Sequence, residues 1–165
     1  MSLTRIALAV LTSIGSLTTA TAASAQESPL RGTWTLVAAD QIRPDGEQVR
    51  DYGESPNGRL IVDAAGRYSL QIFKSERPRF KGADKANGTT DEFKAAVMGS
   101  STHFGTVTVD ARESLLLFAI ESASFPNWEG TVQKRKFKLE GQTLSYQVPP
   151  RPDGGIPVSV WRKLD

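Results

Sequence analysis

Residues 32–39 read Gly-Thr-Trp-Thr-Leu-Val-Ala-Ala, with Trp34, Leu36 and Ala38 on one face and Thr33 and Thr35 on the other. Period-two alternation of this kind marks a half-buried strand. The grammar repeats along the chain. Residues 59–63 and 67–73 are β-rich runs joined by Ala64-Ala65-Gly66, which predicts a hairpin with Tyr68, Leu70 and Ile72 sharing a face. Residues 102–110 alternate with His103, Gly105, Val107 and Val109 on one side. Residues 131–139 and 142–148 form a second hairpin over Glu140-Gly141, and residues 158–164 supply a final strand patterned to pair with the first.

Two segments break the rhythm. Residues 74–87 are charged, are interrupted by Pro78 and Gly82, and read as an irregular loop. Residues 90–99 then carry a helix signature: Thr89 or Thr90 as N-cap, Asp91 and Glu92 in the first turn, and Gly99 to close. Phe93, Ala96 and Val97 make its apolar face, which predicts a short helix against the barrel wall or end. Residues 115–120 (Leu-Leu-Leu-Phe-Ala-Ile) are apolar on both faces, and the helix is the expected cover for their outer side. About eight strands with a single helix predict an all-β fold, a closed antiparallel barrel in which the last strand meets the first. A sandwich is the alternative, and closure is favoured because it removes the exposed edges.

The first 25 residues stand apart. Arg5 precedes an apolar run over residues 6–17, and Ala23-Ser24-Ala25 is a small-x-small cleavage site. Together they have the form of an export signal, too short and too rich in Ser and Thr for a membrane span. Cleavage after Ala25 would remove 25 of 165 residues, leaving a barrel domain over residues 26–165 that is periplasmic or secreted. The whole chain has 20 basic and 18 acidic residues, and losing Arg5 brings the net charge to +1. That near-balance supports neither nucleic acid nor membrane insertion. The absence of cysteine excludes disulfides and thiolate chemistry, and a single histidine does not make a metal site. The expected state is a monomer or small homo-oligomer without a cofactor.

Candidate chemistry centres on Arg135. In residues 133–139 the lysines 134, 136 and 138 take one face, so Arg135 shares the inward face with Phe137 and Leu139. A buried guanidinium needs a carboxylate, carbonyls or an anionic ligand. Glu121 in an internal ion pair, a place near water at the barrel mouth, and a bound ligand are the three readings. His103 is either a wall histidine or a second polar contact, and no Gly-x-Ser-x-Gly nucleophile accompanies it. Trp128, in Phe125-Pro126-Asn127-Trp128-Glu129-Gly130, either rims a pocket or caps the core. Arg79, in the charged loop, either presents a guanidinium at the pocket mouth or is solvated. Arg162 is expected to share a face with Val158 and Val160 and to stack on Trp34, both as structural residues that close the barrel. Asn87-Gly88-Thr89 matches a glycosylation acceptor and also fits the turn before the helix.

Five stretches in order resemble the bacterial and fungal lipocalin-like domain family. They are Gly32-Thr33-Trp34-Thr35-Leu36-Val37, Pro44-Asp45-Gly46, Asn57-Gly58-Arg59-Leu60-Ile61, Phe104-Gly105-Thr106, and Phe125-Pro126-Asn127-Trp128-x-Gly130 followed by Arg135-x-Phe137. The resemblance implies a small β-barrel with a central cavity, and a binding or isomerase-like role. The chain departs from the family's habit by placing Phe118 and Ala119 where a histidine is often found. The expectation is therefore an exported barrel that binds a small hydrophobic or amphipathic, possibly anionic, ligand. Leu36, Tyr68, Leu70, Val107, Phe137, Leu144 and Tyr146 would form the wall, with Arg135, His103 and Trp128 orienting the ligand. No catalytic residue is assigned. A cyclase or isomerase, or a filled barrel that binds a partner, are the alternatives.

Overall fold

The computed structural model describes residues 27–164; the segment expected to be an export signal lies outside the described residues. Alternating sequence becomes strand throughout. The strands are β1 (Gly32–Ile42), β2 (Gln48–Val49), β3 (Asn57–Val62), β4 (Arg67–Phe73), β5 (Ser100–Asp110), β6 (Leu115–Ala123), β7 (Val132–Glu140), β8 (Thr143–Gln147) and β9 (Ile156–Lys163). Every pairing is antiparallel, and β9 returns to pair with β1, so eight strands close a barrel. The two-residue β2 rides on the end of β1. Closure decides between the barrel and the sandwich.

The two ends of this barrel differ. At one end the strands are joined by tight turns at residues 63–66, 111–114 and 141–142, and the chain enters through a turn at residues 28–31. There the interior is solid. Leu30, Trp34, Leu36, Leu60, Val62, Leu116, Leu144 and Trp161 are buried in one cluster, and the Trp34 indole N–H donates to the Leu30 carbonyl at 2.9 Å. At the other end the connections are long: residues 43–56, 74–99, 124–131 and 148–155. The barrel is filled at the first end and roomy at the second.

The helix α1 (Thr90–Met98) forms as its sequence predicts, with Thr89 and Glu92 exchanging the two hydrogen bonds of a capping box. Its place differs from the expectation. It lies near β5, not over β6, and buries none of its residues; Phe93 packs edge-on against Phe80 of its own loop. The outer residues of β6 are flanked instead by their strand neighbours, Leu117 by Thr108 and Lys134, and Leu115 by Lys136. Lysine stems cover apolar surface while keeping the ammonium in water, so no helix is required there.

The final strand is a second correction. Ser159 and Trp161 point inward, and Arg162 is exposed beside Thr35 and Thr143. Trp161 is fully buried. Burying an indole outweighs burying two valines and a guanidinium, which sets the phase. The cation over Trp34 is Lys163, 5.6 Å from the ring centroid.

Candidate functional site

A cavity of about 390 Å³ occupies the roomy half of the barrel. Its wall includes Leu70 and Ile72 from β4, His103 from β5, Gln133 and Arg135 from β7, Tyr146 from β8 and Ser159 from β9. Tyr52, Asp40 and Asp51 from the β1–β3 side, Trp128 from the β6–β7 loop, and the proline-rich segment 149–152 surround it further out.

Arg135 is the centre of this half. Strand alternation turns it inward, and only 3% of it is exposed. Its Nη2 donates to Gln133 Oε1 at 2.8 Å and to His103 Nε2 at 3.1 Å. The guanidinium lies over Phe118, 4.2 Å from the ring centroid, and 5.1 Å from that of Tyr146. None of the ion pairs among the described residues includes it, and its Nε has no hydrogen-bond partner. The ion pair with Glu121 is thus absent: Glu121 sits on the outward parity of β6 and is exposed. Burial pushes the Arg135 pKa down, with Tyr146 and Tyr68 opposing, yet a guanidinium keeps its proton in any protein setting.

His103 links Arg135 to Tyr68. A guanidinium only donates, so His103 Nε2 must accept, and the neutral ring carries its proton on Nδ1. That N–H meets the Tyr68 hydroxyl oxygen at 2.7 Å. Burial, with Arg135 adding to it, lowers the His103 pKa to about 3. Burial raises that of Tyr68. The linkage has a sign: the unfolded histidine takes up a proton below its usual pKa of about 6.5, while the native one does so only near 3. Stability is therefore full above about pH 6.5 and falls toward pH 3, by about 1.4 kcal/mol per pH unit where only the unfolded state is protonated. The carboxylates with lowered pKa values, Asp63, Glu92 and Glu129, lose their contribution only below their ordinary values of 3.8 to 4.5. The window between about pH 6.5 and 5 thus belongs to the only histidine. Urea midpoints across it should slope for the native protein and be flat for His103→Gln.

Of the residues singled out from sequence, the structure brings Arg135, His103, Trp128, Tyr146 and Leu70 to the cavity. Tyr68 stands behind His103 as its hydrogen-bond partner. Phe137 packs against the filled core, and Leu36, Val107 and Leu144 are part of that core rather than of the cavity wall. Arg79 is exposed and absent from the cavity lining. Gln133 was missed although it shares Arg135's parity two residues away. The segment 149–152, Pro-Pro-Arg-Pro, has the composition of a turn, and only its length hints that it overhangs a mouth. Arg151 there donates to Gln41 Oε1 at 2.6 Å and to Asp51 Oδ2 at 3.0 Å. The pair is partly exposed, so Arg151→Ala should cost less than about 1 kcal/mol of stability. It should nonetheless speed escape from the cavity a few-fold, as stopped-flow dissociation of a bound ligand would show.

Comparison with known proteins agrees with this architecture. The profile of the lipocalin-like domain family matches residues 31–164. The chain belongs to that family. This lipocalin-like domain is also 29% identical over 106 residues to the 4'-hydroxy-3'-methoxypropiophenone carrier protein of Aspergillus oryzae, an alignment spanning 58% of this chain and 96% of that protein. No solved structure matches it. Among the described residues no helix is long and apolar enough to cross a membrane, and no group of three or more His, Asp or Glu side chains is placed to hold a metal ion.

Proposed function

We propose that this lipocalin-like domain is an exported carrier that holds one small, largely apolar molecule in the roomy half of its barrel. Arg135 receives the hydrogen-bond acceptor of that molecule. The observation that carries this reading is a guanidinium buried in the cavity wall with an unpaired Nε and no carboxylate partner. A mostly apolar pocket with a few convergent polar groups is the usual form of a small-molecule site, and about 390 Å³ lies within the usual size range. The fungal relative's name points the same way, because an aromatic ketone combines an apolar ring with an acceptor oxygen. Carriage is favoured over catalysis by His103. Its Nε2 lone pair already accepts from Arg135, and its low pKa makes it a poor base.

Isothermal titration with 4'-hydroxy-3'-methoxypropiophenone and related aryl ketones and acids tests the reading. One-to-one binding in the micromolar range is expected, with quenching of Trp128 fluorescence. The absence of binding by every compound would count against it. Export is tested separately by the intact mass of the protein recovered outside the cytoplasm, which should correspond to a chain beginning at Gln26.

A further inference from the structure

We propose that the cavity takes its ligand as a monoanion: a carboxylate, phenolate or enolate oxygen docks on Arg135, and neutral molecules of the same shape are disfavoured. The inference rests on the carrier reading and sharpens it to a charge class. It follows from an inventory of charge around Arg135. His103 on β5 is neutral, and Tyr68 on β4 is a phenol whose ionisation burial opposes. Gln133 on β7, Phe118 on β6 and Ser159 on β9 carry no charge, and Tyr146 on β8 presents its ring to the guanidinium.

The two carboxylates nearer the mouth each have an arginine partner. Asp40 accepts at Oδ2 from Gln48 at 2.7 Å and from Arg50 at 3.3 Å, its buried Oδ1 having no partner. Asp51 pairs with Arg151 at 3.0 Å, and neither carboxylate is within ion-pair distance of Arg135. Glu121 is exposed on the outer face. The interior therefore holds one positive charge that no protein group within ion-pair distance balances. A lone buried charge is costly, and it is stabilised best by a counter-charge with matching donors. The Tyr146 hydroxyl, buried on the same cavity wall and close enough to the guanidinium to favour its charge, is a second donor for the same oxyanion.

Cinnamate and cinnamamide share a planar shape and differ in charge, so titration of both at pH 7 tests the inference. Cinnamate should bind at least tenfold more tightly. The preference should vanish in Arg135→Gln and persist in Arg135→Lys; if either variant fails to fold, the native ratio still decides. A second arm separates the sources of the anion. 4'-Hydroxy-3'-methoxypropiophenone titrated between pH 6 and 9 should bind more tightly as its phenol ionises if phenolates are accepted. Over that range His103 is already neutral and Tyr68 remains protonated, so the change reports the ligand. A carboxylate preference without this pH effect restricts the class to carboxylic acids. Equal or tighter binding of the amide overturns the inference while leaving the carrier reading intact. Failure of every probe to bind overturns the carrier reading itself.

Discussion

Replacing Gly105 with alanine should cost on the order of 4 kcal/mol of stability, the sum of a strained backbone and an overpacked site. Gly105 lies in β5 at φ 155°, where the ladder to β6 shifts register. A methyl group there would sit 2.1 Å from the Ala119 carbonyl oxygen and 2.9 Å from the Glu121 nitrogen. Both are backbone atoms and cannot swing aside. The close approach is what lets β6 insert one extra residue, so that Ile120 faces Gly105 on one side of the bulge and Ala123 faces His103 on the other. The variant therefore threatens His103 as well as the sheet. Urea unfolding should show a large drop in midpoint, whereas Gly82→Ala, with nothing within 4 Å, should stay within about 0.5 kcal/mol. An unchanged midpoint for Gly105→Ala would mean that the bulge is not built on this contact.

Replacing Arg135 with leucine should separate binding from folding. The buried guanidinium costs several kcal/mol to desolvate. Its ring contacts and hydrogen bonds to neutral acceptors return about the same amount. Stability is thus expected to hold within about 1 kcal/mol or to rise, as when buried charges give way to apolar groups of similar size. Ligand binding should fall on the order of 100-fold, about 2.7 kcal/mol, because the acceptor then enters an apolar wall without a donor. Paired urea titrations and calorimetry check both halves. Loss of the fold with binding intact in the remaining native protein would return Arg135 to a structural role.

Much of this molecule was legible in its alternation. The hairpin of β3 and β4, the capped helix and the pairing of the ends follow from period two, a glycine turn and a capping box. Arg135 was legible because three lysines fix the phase of β7. Phase is also where the reading failed. Counting from Val158 puts Arg162 inside, but Trp161 occupies the alternate parity and has far more to gain from burial. The β-bulge in β1 between Leu36 and Ala38 further uncouples the two strands' phases. Which half of the barrel is filled was not legible, since Leu36 and Leu70 have the same pattern and differ only in height. Height depends on the contrast between tight turns and long connections, and so on the whole topology. Nor could local sequence show that Arg135 lacks a carboxylate, because that follows from what seven other strands bring to the same level.

The central claim is that a ligand's acceptor oxygen meets Arg135 inside the roomy half of the barrel. The Arg135 Nε–H, buried and without a partner, reports on that claim directly. Nitrogen-15 NMR of the arginine side chains, assigned through Arg135→Lys, should be followed during titration with cinnamate. The account predicts a large downfield shift of the Arg135 Nε–H with slowed solvent exchange, saturating at one equivalent, while Arg79 and Arg162 stay still. Saturable binding that leaves the Arg135 resonance unmoved would contradict it.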